Sequence, residues 1–299
     1  MGNKAYPVIS PENLRKYADL DLGSKADIRK QIRESWSRIQ IRALGLGFRR
    51  VIPILPVADS SINIFGSGTK TEKGESIPEP VKTLIWYGSP GRESGVEMCD
   101  NRSPACTAGC LGHGCWHLKI RSGKNSKLWK TMLLVGNPDL FIRLLMLELD
   151  SHILSCRRNS IEPAARIDGS TDTGIGDVLA GFDRFSDCNF YDYSKSTLRL
   201  SRFLSGKFPD NRHLTYSRSE KNHRQSVDIV NRGGSVAVPV NLKRHEFPST
   251  WCGMPVEDGD RHDVRYRDTP GTWQFLEWKG QASRKHAVAS GFCVSVAGC

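Results

Sequence analysis

The stretch Asn189-Phe190-Tyr191-Asp192-Tyr193, followed by a helix-like run from Leu198 to Leu204 and then by Leu214-Thr215-Tyr216-Ser217, decides the fold. Short β-branched and aromatic runs separated by one amphipathic helical segment are the signature of parallel strands joined by crossover helices. The same alternation recurs on either side. Upstream lie strand patterns at Thr83 to Tyr87 and Ala164 to Asp168; downstream lie Ser235 to Val240 and Trp273 to Lys279, with Pro255-Val256 a weaker one. Helical stretches fall at Val178 to Phe185 and at Val227 to Asn231, the latter closed by Gly233-Gly234. Six or so such units predict an α/β fold, a complete or partial (β/α) barrel-like core.

Earlier in the chain two further helices are expected. One runs from Ser126 to Val135. The next opens at Asn137-Pro138, an N-cap followed by a first-turn proline, and continues through Leu149 or beyond with little polar surface. The first fifty residues read as helical and basic. Ser24 is placed to cap a helix in which Ile28, Ile32, Trp36, Ile39 and Ala43 recur at helical spacing, while Arg29, Lys30, Arg33, Arg38 and Arg42 fill the other faces. Those cations suit either a nucleic-acid contact or a solvated face on a packing helix. The organisation that follows is a helical basic N-terminal extension over 1–59, a loop or linker over 60–80, an α/β core over 81–282 and a tail over 283–299.

Between the first strand and the first core helix the chain places four cysteines in seventeen residues, Cys99-x6-Cys106-x3-Cys110-x4-Cys115. One turn of helix between Cys106 and Cys110 would make their side chains neighbours. The small residues Thr107-Ala108-Gly109 and Leu111-Gly112-His113-Gly114 would let backbone amides approach thiolates. The spacing matches a zinc ribbon only in part, since structural zinc sites build on paired C-x2-4-C knuckles. An iron–sulfur cluster, of the 4Fe-4S type, is the expected cofactor, with zinc the alternative; disulfides and plain buried thiols compete with both. Cys99, Cys106, Cys110 and Cys115 are the expected metal ligands, with His113 and His117 as substitutes or as hydrogen-bond donors behind them. Cys188, Cys293 and Cys299 lie far away in sequence.

In a barrel-like sheet reacting groups gather on loops at the C-terminal ends of strands. Those loops carry Asp168-Gly169-Ser170-Thr171-Asp172, Asp192-Tyr193-Ser194-Lys195, Ser217-Arg218-Ser219-Glu220, and Glu257-Asp258-Gly259-Asp260-Arg261-His262-Asp263. Asp168, Asp172, Asp192, Lys195, Asp260 and Asp263 are therefore expected to hold a small ligand or cofactor, although Asp-Gly pairs are also ordinary turn sequences. Neither a Walker loop, nor a serine nucleophile elbow, nor G-x-G-x-x-G occurs, which removes the commonest hydrolase and nucleotide-motor readings.

The motifs together, Cys99-x6-Cys106-x3-Cys110-Leu111, Arg166 to Asp172, Phe190 to Lys195, Leu214 to Ser217 and Gly259-Asp260-x2-Asp263-x-Arg265-x2-Asp268, resemble the gene product 88 family of phage and prophage proteins. The resemblance covers roughly Ile85 to Gln281. It implies a phage-encoded protein with a cysteine site more than it implies a reaction. One departure stands in the second motif, commonly R-L-N-G-T-S-D, where this chain has Arg166-Ile167-Asp168-Gly169-Ser170-Thr171-Asp172. A cysteine loop after a first strand is also similar to radical S-adenosylmethionine enzymes, without their usual C-x3-C-x2-C spacing.

Composition sets the remaining bounds. With 299 residues, 38% of them hydrophobic, a mean hydropathy of −0.42 and no apolar run near the roughly 18 residues of a spanning helix, a core is affordable in size and a membrane protein is excluded. Tyr6 stands where a myristoylation signal wants Ser or Thr, and no signal-peptide core follows, so the expected location is cytoplasmic. Net charge of +11 makes a polyanionic partner plausible. Two functions follow: an iron–sulfur redox or radical enzyme with a polar cavity, or a zinc-stabilised nucleic-acid-binding protein of phage replication or host takeover acting through the basic helix.

Overall fold

The computed structural model describes residues 11–49, 51–66, 68–280, 282 and 284–296; Met1 to Tyr6 and Cys299 lie outside them. Its centre is an eight-stranded mixed sheet. β1 (Val81–Ile85), β2 (Glu162–Arg166), β3 (Asn189–Ser194), β4 (Arg212–Ser217) and β5 (Val236–Val240) lie side by side in chain order, each parallel to the last. β8 (Trp273–Glu277) continues the parallel run beside β5, β7 (Met254–Asp258) pairs parallel to β8, and β6 (Thr250–Trp251) turns back antiparallel at the far edge.

The α/β class and its parallel sheet agree with the strand–helix alternation. Closure into a barrel is not seen: among the described residues no ladder joins β1 to the β6–β7 end. The physical reason is visible. The β6–β7 hairpin occupies the far edge, and β1 is instead bridged on its outer side by Gly66, which exchanges hydrogen bonds with Ile85 at 2.9 and 3.1 Å.

Alternation along the strands divides the side chains between two faces. Ala165, Ile167 and Phe190 join the main core, which is built on three helices: α1 (Lys25–Gly45), α2 (Arg121–Gly136) and α3 (Pro138–Arg158). Val81, Ala164 and Tyr191 face the other way and pack on Val264, in the segment Gly259 to Asp268 between β7 and β8. That segment lies across the opposite face. Its Arg265 reaches Gln274 on β8, while its Tyr266 reaches Glu162 on β2.

Caps lie where the side chains imply. Ser24 accepts from the Asp27 N–H at the start of α1, and the Asn137 side chain accepts from the Leu140 N–H at 3.2 Å with Pro138 at the first position of α3. Asn137→Ala should cost ~1 kcal/mol, read as a lower denaturant midpoint at unchanged slope.

The structure adds local detail to these expectations. The start of the stretch 60–80 is anchored to the core. Ile62 and Ile64 are fully buried in the main core, and the buried Glu148 of α3 accepts from the Ile64 and Phe65 N–H groups. The helix expected at Val178 to Phe185 is instead α4 (Ile175–Leu179) and a separate 3-10 turn Asp183–Phe185, interrupted around Gly181. α1 shares the main core through Ile28, Ile32, Ile39 and Ala43, as the packing-helix alternative has it, and two of its arginines bond to protein. Arg29 donates to the Ile62 carbonyl and to Asn63, and Arg33 binds Asp59 and the carbonyls of Pro56 and Val57. Of the five cations singled out there, Lys30, Arg38 and Arg42 stay exposed.

Candidate functional site

The cysteine segment leaves β1 and folds into short turns of helix on the C-terminal rim of the parallel strands. Cys106 sits in the helix Pro104–Ala108, whose N-cap Ser103 accepts from the Cys106 N–H. Gly109 ends that turn, and Cys110 caps the next, Leu111–Gly114. Cys106 and Cys110 are thus not successive members of one helix, because Gly109 closes the first before a full turn separates them. Gly109 is needed there, since a Cβ would fall 2.5 Å from Trp278 Cη2.

Segments following three strands of the parallel run seat this loop. From the loop after β2, the Asp172 N–H donates to the Met98 carbonyl and Cys99 Sγ lies 3.9 Å from the Ser170 carbonyl. From the loop after β4, Glu220 accepts from Ser103 Oγ at 2.6 Å and from the Ala105 N–H at 3.1 Å. After β8, Trp278 covers Gly109. From the helical side, Lys127 of α2, 1% exposed, donates to the Gly112 carbonyl and to Glu93, which also accepts from His113 Nδ1 at 2.9 Å. Burial would raise the Glu93 pKa, but His113 and Lys127 hold it down at about 2.

The thiols are all half-buried and unbonded to one another. Burial pushes Cys99 well above the usual thiol range, with Asp172, Cys110, Asp168 and Cys106 adding to the effect. Burial and Cys106 likewise raise Cys110, opposed by the Gly112 N–H and by the ammonium groups of Lys127 and Lys195. Cys99, Cys106 and Cys110 therefore share one electrostatic neighbourhood, with two cations facing Cys110. Cys115 acts on Tyr87. Among the described residues no three His, Cys, Asp or Glu side chains already stand in metal-holding geometry.

The donor set nonetheless suits a metal or cluster. Gly112 brings its amide to the Cys110 sulfur, where a Cβ would stand 3.4 Å from Sγ and 2.8 Å from Pro90, and His113 Nε2 is buried without a hydrogen-bond partner.

The expected ligand-binding carboxylates divide into groups. Asp168 accepts from Thr171 Oγ1, from Thr173 N–H and Oγ1 and from the Gly174 N–H, so it organises its own loop. Asp172 lies against the cysteines and accepts from Ser194 Oγ and the Lys195 N–H at 3.1 and 3.0 Å while pairing with Arg199. Burial raises its pKa against the pull of Arg199. Lys195 Nζ bonds Ser217 Oγ at 2.7 Å beneath the same loop.

Asp192 stands apart, fully buried on the face of β3 that meets α4. Its Oδ1 accepts from the Asp168 N–H, and its Oδ2 lies 2.9 Å from Arg212 Nη2 without hydrogen-bond geometry. Arg212 also binds Asp177 of α4, which Arg199 grips from the other side. Asp263 sits on the opposite face, between Arg166 Nη1 at 2.7 Å and Tyr193 Oη at 3.1 Å. Asp260 accepts from the Glu277 N–H and from Lys279 Nζ beyond β8. The structure thus brings Cys99, Cys106, Cys110, Asp168, Asp172 and Lys195 into one neighbourhood, with Asp192 behind Asp168, Asp263 on the opposite face and Asp260 beside β8.

Burial pushes Asp192 from 3.8 up to about 7 against the pull of Arg212. The folded chain then binds one proton more than the unfolded chain between roughly pH 4 and 7, so this group's contribution to stability falls as pH rises through that window. Asp192→Asn is expected to remove this component. The parent's denaturant midpoint should decline relative to the variant's between those pH values, and the two profiles should run parallel outside them.

Sequence reasoning missed Glu93, Lys127, Arg199 and Arg212. Lys127 and Arg212 look like surface cations in sequence; only their burial against carboxylates reveals them.

A largely parallel sheet with a cysteine-rich loop seated on its C-terminal rim defines an α/β protein, a class whose open sheets meet ligands outside the carboxyl ends of their strands. The chain belongs to the Gene product 88 family, whose model matches residues 64–296, the phage and prophage family its motifs resemble. No curated protein and no solved structure matches it. No described helix is long and apolar enough to cross a membrane.

Proposed function

We propose that this phage-family protein carries an iron–sulfur cluster on Cys99, Cys106 and Cys110 and acts as a redox protein at the rim of its sheet. The observation that carries the reading is the electrostatic coupling of these three thiols, with Lys127 and Lys195 facing Cys110. The Gly112 amide and the two cations offset part of the burial that raises Cys110, and a bound metal would supply the remaining stabilisation of the thiolates. Loading would draw the three thiols inward on short turns that end in glycine. Asp172 and Lys195, at the edge of the same group, would orient a small ligand through their carboxylate and ammonium.

The zinc and nucleic-acid reading has less support, because Arg29 and Arg33 already brace the segment 56–63. Anaerobic purification of the full chain with iron and sulfide tests the choice. A brown protein with broad absorption near about 400 nm and bound iron and acid-labile sulfide is expected. A colourless protein holding stoichiometric zinc would sink the cluster.

A further inference from the structure

We propose that the segment 51–57, bonded to both α1 and α2, seats the protein on an anionic lipid surface. Val51, Ile52, Ile54 and Val57 are exposed, Ile54 at 68% and Val57 at 96%, while Pro53 and Leu55 between them are buried. Ile120, immediately before α2, adds a fifth exposed aliphatic side chain. The segment is pinned from both helices. Asn125 of α2 accepts from the Ile54 N–H at 2.8 Å and donates to the Ile54 carbonyl at 2.6 Å, and Arg33 of α1 donates to the carbonyls of Pro56 and Val57. With Pro53 and Leu55 turned inward on a fixed backbone, Ile52 and Ile54 are held out in water, and a contiguous exposed apolar group of this kind marks an interaction site.

Charge selects the partner. The sequence has no Asp or Glu from Ser35 to Ala58 or from Asn101 to Pro138, and these two stretches meet where Ile54 bonds Asn125. Exposed cations stand around the aliphatic group. Arg49 precedes it and donates its N–H to the Ser94 carbonyl, beside the exposed Arg92, while Arg121 and Lys124 occupy the turn of α2 that ends at Asn125. Asp59, the first acidic residue after the segment, is bound by Arg33. Like charge opposes a second copy of this chain on the same face. Nucleic-acid phosphates would meet the cations but leave the aliphatic side chains uncovered. A peptide adding as a strand needs open backbone groups, and those of Ile54, with the carbonyls of Pro56 and Val57, are already bonded. The same bonding suits the boundary between headgroups and acyl chains, where open backbone groups are costly, aliphatic side chains are buried and cations gain from anionic headgroups. The contact is adsorption on the surface and calls for no spanning helix.

The test sediments the full chain with vesicles of phosphatidylcholine alone and of equimolar phosphatidylcholine and phosphatidylglycerol. Binding to the anionic vesicles is expected to be at least about tenfold stronger than to the neutral ones, with the difference lost at ~1 M salt, where charges are screened beyond about 3 Å. Ile52→Ser with Ile54→Ser, both at exposed positions, should weaken binding to anionic vesicles by about tenfold or more at unchanged thermal stability. Arg121→Gln with Lys124→Gln should remove most of the preference for anionic vesicles. Equal binding to the two vesicles, binding to neither, or full binding by the Ile52/Ile54 double variant would overturn the proposal. So would binding of a DNA duplex that needs Arg121 and Lys124 but not the two isoleucines while vesicles stay unbound, which assigns the surface to nucleic acid. A concentration-dependent dimer abolished by Ile54→Ser would overturn it as well, in favour of a second copy.

Discussion

Cys106→Ala and Cys110→Ala should each yield a folded, colourless protein that has lost nearly all bound iron and sulfide. These are the two thiols whose surroundings are most committed to the site. Cys106 is held by the Ser103 cap, itself held by Glu220 from beyond β4, and Cys110 is faced by the Gly112 amide and two ammonium groups. Removing either thiol leaves the others no neighbouring soft donor of equal charge. Folding should survive because neither side chain belongs to the hydrophobic core. Cys188→Ala provides the contrast: that thiol is fully buried in the apolar core, where burial raises its pKa, and its loss should lower stability while leaving metal content unchanged. Metal analysis beside thermal denaturation of the three variants separates the cases.

Arg212→Leu is expected to be the most destabilising single change in the sheet, by ~3–5 kcal/mol, since it strands buried carboxylates that the guanidinium now serves. Arg212 is 2% exposed and reaches both Asp177 and Asp192. Against the typical ~5–15 kcal/mol total for a domain, such a loss leaves little reserve. Asp177 would retain Arg199, whereas Asp192 would keep only the Asp168 N–H and should take up a proton. Adding Asp192→Asn to Arg212→Leu should therefore restore part of the lost stability at pH 8 and almost none at pH 5. Urea denaturation of the single and double variants at both pH values reads the difference.

Strand and helix identity was legible because each element carries its own signal. Tyr191 and Phe190 alternate across β3, Asn137-Pro138 announces α3, and Ser24 caps α1. Closure was not legible, since whether β1 meets a last strand depends on what Gly66 and the segment Gly259 to Asp268 do, and neither has periodicity. The cysteine site was legible by density, but its membership was not. Asp192 and Lys195 are three residues apart, yet one faces α4 and the other the rim, because a strand sends alternate side chains to opposite faces. The same blindness concealed Arg212, whose partners lie 20 and 35 positions away.

The seating of the cysteine loop also sets when it can be finished. Its supports arrive in order along the chain: Lys127, Ser170 and Asp172, Lys195, Glu220 and last Trp278. During synthesis at ~5–20 residues per second, the roughly 160 residues between Cys115 and Trp278 take about 10 to 30 s to make. Once the cysteine loop has cleared the ribosome, and until Trp278 follows it, the four thiols lack part of their covering and are open to oxidants and to stray metal. A nascent chain halted before Trp278 would thus offer the thiols without the finished loop, so any group the site takes would be seated only after β8 is complete.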